Sequence, residues 1–381
     1  MQAAMDLWQA MGDDAVAENS AYLTEQLITY IGNKRSLLDF IGNGARIVKR
    51  RLGKQKLSSF DVFSGSGVVA RYLRRDSSRI VTNDLEKYSA VINKCYQASP
   101  TPELLRALKQ EHARLLRRLD TEELKPGLIS EFYAPKDDND VQMGERCFYT
   151  TRNARYLDTA RRMLDDVPEE FRGYLLAPLI AKASVHANTS GVFKGFYKNT
   201  ETGLGQFGGN NQDALLRIKS DITLPFPIFS NYAVDAEVYN RDANDLIHEL
   251  DEVDLAYLDP PYNQHPYGSN YFMLNLLVDY ERPQEVSNIS GIPVDWNRSR
   301  YNKRGEALEA LTALVNGIRA KFVMISFNSE GFISREDMVE MLEKVGQVEV
   351  LETKYNTFRG SRNLRDRDIH VKEFLFLVEK A

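Results

Sequence analysis

Asp259, Pro260, Pro261 and Tyr262 directly follow the apolar run Val253-Asp254-Leu255-Ala256-Tyr257-Leu258. An apolar run that stops into Asp-Pro-Pro-aromatic reads as a buried strand ending abruptly in a rigid loop. The two prolines fix φ and remove two backbone donors, so neighbouring carbonyls can face a ligand instead of a ladder partner. Acid, free carbonyl and aromatic ring then meet at the carboxyl end of a strand, where open α/β sheets bind ligands. Together they suit an exocyclic amine on a flat ring. The acid and the carbonyl accept its two hydrogens, and Tyr262 stacks on the ring face.

A second group lies near the start of the chain, in Asp61-Val62-Phe63-Ser64-Gly65-Ser66-Gly67. This loop lacks the Lys-Ser/Thr of a phosphate-binding loop and the third glycine of a dinucleotide fingerprint. Its glycines still let backbone approach a ligand closely. Asp84 ends the next short apolar segment, about where a carboxylate grips the ribose hydroxyls of an adenosine cofactor. A tight turn of this kind can also be purely structural. Upstream, Tyr30-Ile31-Gly32-Asn33-Lys34-Arg35 precedes an apolar helix over 37–47, and the same residues equally fit a plain helix start. Asp242 stands just beyond an expected strand, where a carboxylate could meet an adenine ring.

Only a sheet can bring these segments to one edge. Short apolar runs predict strands over 60–63, 79–82, 236–240, 255–258, 321–327, 348–354 and 374–378. Helical patterns beginning at Val68 and over 304–318 and 335–344 separate most of them, giving right-handed βαβ units. The last two strands have no helix between them and predict an antiparallel hairpin. The expected fold class is α/β, a seven-stranded, mostly parallel Rossmann-like sheet with helices on both faces. Between Asp84 and Ala236, about 150 residues break the alternation, too many for a loop in a compact domain. Amphipathic patterns over 101–120 and 151–164, with a Gly/Asn-rich turn over 203–211, make this an inserted, mostly helical domain. The expected boundaries are an acidic extension over 1–20, a sheet domain over 21–92 and 234–381, and the insert over 93–233.

Composition narrows the setting. The chain of 381 residues is 43% hydrophobic and 27% charged, ordinary for a globular protein. No apolar run approaches the roughly 20 residues of a membrane helix, and the first residues lack the basic start and apolar centre of a signal peptide. Cys95 and Cys147 are too few for a disulfide framework or a cysteine zinc site. A reducing cytoplasm is the expected home. The net charge of −5 argues mildly against nucleic acid, yet basic residues cluster at 46–56, 71–79, 152–162, 298–304 and 359–367. Phosphate contacts need a local basic face, not a basic sum, although some of these runs are solvated helix faces.

Taken in order, the segments resemble the DNA N6-adenine methyltransferases whose cofactor motif comes first, then a recognition region, then Asp-Pro-Pro-Tyr. Within that group the chain looks most like the FokI-type modification methylases. Tyr30 to Lys34, the Asp61 to Gly67 loop, and Asp259 to Asn263 carry the likeness. The resemblance implies S-adenosyl-L-methionine as methyl donor and double-stranded DNA as substrate, with no metal. It implies that Tyr30 packs against the cofactor and that Lys34 helps hold its methionine carboxylate. Asp61, Phe63, Ser64, Gly65 and Gly67 pass under it, with Asp259 beside it. Asp84 takes the ribose hydroxyls and Asp242 the adenine amine. Asp259, Pro260, Pro261 and Tyr262 are the expected catalytic set. A restriction endonuclease encoded separately is a partner the resemblance allows.

Weaker candidates surround this set. Asn263 and Tyr267 lie in a polar loop that could close over an extruded base or be ordinary surface; His265, in the same loop, reads as solvated. Arg359 and Arg362 fall between the last two strands and suit phosphate contacts, as well as a plain basic turn. Lys194 and Lys198 interleave with aromatics in the insert, where DNA contact and packing between the domains are equal readings. The resulting expectation is a site-specific DNA adenine N6-methyltransferase. N4-cytosine methylation, RNA adenine methylation and protein glutamine methylation share the fold, but the cytosine enzymes usually open the motif with Ser and the glutamine enzymes with Asn. A silent, methylase-like DNA-binding regulator is the alternative outside enzymology.

Overall fold

A computed structural model describes residues 17–209, 214–356 and 370–381. Its centre is one seven-stranded sheet: β1 (Leu57–Asp61), β2 (Ser77–Asn83), β3 (Asp235–Tyr239), β4 (Val253–Leu258), β5 (Ala320–Asn328), β6 (Gly346–Asn356) and β7 (His370–Lys380), in the order β3-β2-β1-β4-β5-β7-β6. The first five strands pair in parallel, and β7 runs antiparallel to both β5 and β6. The expected α/β class and hairpin closure are therefore both present. Strand limits move by a few residues, most usefully at β1, which ends at Asp61 and leaves Val62 and Phe63 in the loop.

Burial explains the sequence signature. Every residue of β4 is buried, as a central parallel strand covered on both faces must be. One face packs on Leu38–Leu52, whose Ile41, Ala45 and Val48 share a helical stripe; this helix ends at Gly53, in the left-handed region at φ 62°. The other face packs on Ala307–Gly317 and Arg335–Glu343 through Leu311, Leu314, Met338 and Leu342. A third core joins the segment 93–233 to its surroundings. It runs from Tyr22 and Ile28 through Tyr88 and Ile92, along the long helix Glu169–His186, to Phe272 and Leu277. The expected junction at 92–93 falls inside the helix Lys87–Tyr96. Among the described residues no helix is long and apolar enough to cross a membrane, and Cys95 and Cys147 are buried and unpaired.

Candidate functional site

The order in which strands are laid down reverses at β1, because β2 lies on one side of β1 and β4 on the other. Open α/β sheets leave their ligand crevice at such a switch point, outside the carboxyl ends of the strands. A cleft of about 890 Å³, counted out to its open mouth, lies there. Asp61 at the end of β1, Asp84 just past β2 and Asp259 just past β4 all line it.

The loop after β1 is shaped by its glycines. Gly65 and Gly67 hold φ of +50° and +71°, backbone that a side chain adopts only with strain. A Cβ on Gly65 would lie 3.0 Å from the ring of Tyr30, and one on Gly67 would lie 2.5 Å from Asn93 Oδ1. The Ser64 amide and hydroxyl both donate to the Asn83 carbonyl, tying the loop to β2. Asp84 staples the same turn: its oxygens accept from the Gly65 amide at 2.8 Å and the Glu86 amide at 2.9 Å. Burial pushes its carboxyl up to about 6 despite these donors. Asp61 Oδ2 accepts from the Ala70 amide at 3.1 Å, whereas its buried Oδ1 has no partner among the described residues. Burial, with Asp259 and Asp84 nearby, holds the Asp61 carboxyl well above the usual range.

Across the cleft Asp259 meets Lys34. Lys34 is 4% exposed, and its Nζ lies 3.1 Å from both Asp259 Oδ1 and Glu373 Oε1. Burial opposes the Lys34 charge, but these two carboxylates overcome it and raise its pKa. Asp259 keeps 19% side-chain exposure, onto the cleft that it lines. Burial pushes its carboxyl up to about 6 while Lys34 pulls it down. The Pro260 carbonyl accepts no hydrogen bond from the described residues. Tyr262 sits beside this pair, with Lys34 Nζ 5.6 Å from its ring centre and an edge contact to Phe327.

Tyr30, Tyr267 and Tyr271 stack nearly parallel, Tyr30 lying 4.9 and 4.8 Å from the other two. Tyr267, expected among the DNA contacts, is thus part of the cleft wall, and its hydroxyl donates to the Ile31 carbonyl. Phe63 lines the cleft edge-on to Tyr301. Asp242 lines it too, and caps the helix Ala243–Leu246 by accepting from the Asn244 amide. Asn263 stays outside the cleft, its side chain holding the His265 amide. Lys194 and Lys198 are exposed, Lys198 Nζ lying 5.2 Å from the ring centre of Phe196. Burial, then the Lys194 charge, lowers the His265 pKa, so Lys194 faces the loop after β4. In the same segment Asn188 and Phe193 are buried, and the Phe193 amide donates to Asn270. Arg359 and Arg362 lie outside the described residues.

Three participants escaped the sequence reading. Glu86 lines the cleft at 3% exposure, with Oε2 accepting from Asn275 and Asn297. Burial, then Asp84, pushes its carboxyl up to about 7. Its signal was available, an acid two residues past Asp84. Glu373 stood out only as a lone acid before the apolar run Phe374 to Val378. Tyr301 had no signal. Among the described residues no cluster of metal-ligating side chains occurs.

The sequence model of the D12 class N6 adenine-specific DNA methyltransferases matches residues 30–341. The type II methyltransferase M.NlaIII of Neisseria lactamica is 27% identical over 364 residues, 93% of this chain and 100% of that one. M.CviAII of Paramecium bursaria Chlorella virus 1 is 29% identical, covering 92% and 98%. M.FokI of Planomicrobium okeanokoites is 25% identical over 92% of this chain, which spans 52% of it.

Proposed function

Because the chain belongs to the D12 class of N6 adenine-specific DNA methyltransferases, we propose that it uses S-adenosylmethionine to methylate an adenine swung out of double-stranded DNA at one recognition sequence. The observation that carries this reading is Asp259 on the cleft wall, held by Lys34 and followed in the chain by a Pro260 carbonyl with no partner among the described residues.

The cleft fits the donor. Asp61 Oδ1, buried and unpartnered at its wall, suits the ammonium of a methionine moiety. Gly65 has no room for a Cβ under Tyr30, so backbone alone can pass beneath the ligand. An ammonium has three donors; Lys34 gives two to Asp259 and Glu373, which leaves one for the methionine carboxylate. Asp84 and Glu86 face the ribose end, and Asp242 the adenine end. When bound, S-adenosylmethionine supplies an electrophilic methyl on sulfonium sulfur.

The chain's own residues activate the acceptor. The N6 lone pair is delocalised into the adenine ring and is a poor nucleophile. Asp259 and the Pro260 carbonyl accept the two amine hydrogens, letting the nitrogen pyramidalise and recover that pair. As positive charge grows on nitrogen, the Asp259 carboxylate stabilises it. A base inside a duplex cannot reach the cleft and must flip, and Tyr262 stacking offsets roughly 1–3 kcal/mol of the lost stacking. Residues 93–233 read the target, while Lys194, Lys198, Asn263, Arg359 and Arg362 contact the backbone near it. The same reading places the enzyme in the cytoplasm, protecting DNA from a separately encoded endonuclease.

Incubation with labelled S-adenosylmethionine and unmethylated DNA, followed by digestion to nucleosides and mass spectrometry, tests this. The expected product is N6-methyldeoxyadenosine. Deoxy N4-methylcytidine would overturn the acceptor, and label in RNA or protein alone would overturn the substrate.

A further inference from the structure

Glu373 does not line the cleft, yet it reaches the reacting carboxylate through one side chain. Because β7 runs antiparallel to β5, its first residues lie at the carboxyl edge of the parallel strands, and Glu373 pairs with Asn328 at the end of β5. The side chain is 2% exposed, and its Oε1 accepts from Lys34 at 3.1 Å and from Ser326 Oγ at 2.9 Å. Lys34 is equidistant from Glu373 and Asp259. A second buried carboxylate on one ammonium is costly unless it is held by hydrogen bonds, as Ser326 holds this one.

We propose that Glu373 is a positioning residue for methyl transfer: it shares Lys34 with Asp259, so that Asp259 keeps the electron density with which it accepts the adenine amine hydrogen. The inference rests on the reading that Asp259 receives that amine. If Lys34 belonged to Asp259 alone, the ion pair would tighten and the carboxylate would be a weaker base, which slows a step that depends on its basicity. The charged and titratable groups around Asp259 are Lys34 on the segment before Leu38–Leu52, Glu373 on β7, Asp61 on β1, Tyr257 on β4 and Tyr267 at the start of the helix Tyr267–Asn270, with Tyr262 beside Lys34. Of these, Lys34 pulls the Asp259 carboxyl down and Glu373 pushes it up, on top of the upward push of burial.

Glu373→Gln keeps the shape and removes the charge. In single-turnover transfer to DNA with saturating cofactor, this variant is expected to lower the limiting rate about two- to threefold, the most that a half-unit loss of basicity gives. Its acid limb should move down by about half a pH unit, with KM for S-adenosylmethionine unchanged. Ser326→Ala removes a donor that competes with Lys34 for Glu373, so its acid limb should move the other way. A Gln variant with wild-type rate and acid limb, altered only in melting temperature, would reduce Glu373 to a structural partner and overturn the proposal. If that variant does not fold, an unmoved acid limb in Ser326→Ala overturns it instead. Wild-type enzyme that leaves adenine N6 unmethylated would sink the underlying reading as well, which separates the two failures.

Discussion

Asp84 and Asp259 flank β1 at the same edge of the sheet, and burial pushes both carboxyls up to about 6. Their partners differ. Asp84 is held by the amides of Gly65 and Glu86, so its position is fixed by the turn that it staples. Asp259 is held by a side chain, Lys34, and precedes Pro260, whose carbonyl has no partner among the described residues. Backbone donors fix Asp84 to the rim, whereas Asp259 is held through one ammonium that it shares with Glu373, which leaves acceptor capacity for a substrate amine. On the proposed function, the two acids divide into one that holds the cofactor and one that activates the amine.

The sharpest way to break that division is to remove each in turn. Asp259→Ala is expected to lower transfer by about a thousandfold or more, since both the amine acceptor and the stabilising charge are lost. Its affinity for S-adenosylmethionine, read by calorimetry, should stay near wild type. Asp84→Ala should instead weaken cofactor binding by about ten- to a hundredfold, the size of a lost charge-assisted hydrogen bond. Transfer at saturating cofactor should then recover to within a few-fold. Equal loss of cofactor affinity in both variants would erase the distinction.

The pH dependence follows from the same two groups, with opposite signs for activity and stability. Asp259 must be ionised to accept the amine, so transfer should fall about tenfold per unit as pH drops below about 6. Stability runs the other way. Both acids have folded-state values above the unfolded value of about 4, so the folded form takes up protons that the unfolded chain does not. Their burial therefore costs stability that is progressively relieved as pH falls from above 6 towards 4. Melting temperature and transfer rate measured across that window should move in opposite directions. Parallel loss of both would mean that acid unfolding, not Asp259, sets the limb.

How far the sequence could carry this contrast depends on where each partner sits. The Asp-Pro-Pro-Tyr end of β4 was legible because an all-buried strand followed by two prolines leaves few alternatives. The glycine loop and Asp84 were legible as one local unit. Glu373 was not, because it reaches Lys34 only after an antiparallel strand returns to the edge, and no local pattern encodes that return. Tyr267 carries no signal nearby in the sequence for its stack on Tyr30, which is why a polar loop near DNA or ordinary surface is all that its neighbours suggest. The residues 93–233 looked like a separate unit because their helices are amphipathic. Their core nevertheless continues into Tyr22, Tyr88 and Phe272, residues distant in the chain.

The rim itself can be probed without touching an acid. Gly67→Ala places a Cβ 2.5 Å from Asn93 Oδ1 at φ +71°. It is expected to cost about 1–2 kcal/mol of folding stability from backbone strain, read in denaturant melts. Asp84 should then hold a distorted turn, and cofactor affinity should fall with stability. Unchanged affinity in a destabilised variant would show that the staple, not the glycine, sets the rim.

The smallest expected effect lies in the insert, where the same segment carries buried and exposed residues. Asn188 donates to the Cys147 and Gln206 carbonyls, and Phe193 is 2% exposed, so this part of the segment packs. Lys198 is exposed, with its Nζ over the face of Phe196, a contact of little cost in solvation. If it meets a phosphate, Lys198→Ala should weaken binding a few-fold on every DNA sequence and reduce the salt slope by about 1. Lys194→Ala, beside His265, should do the same and in addition raise the His265 pKa, because the Lys194 charge is one of the two influences that lower it. A histidine that moves in the Lys194 variant while both salt slopes stay fixed would assign the segment 188–198 to packing against the loop after β4 and leave phosphate contact to other residues.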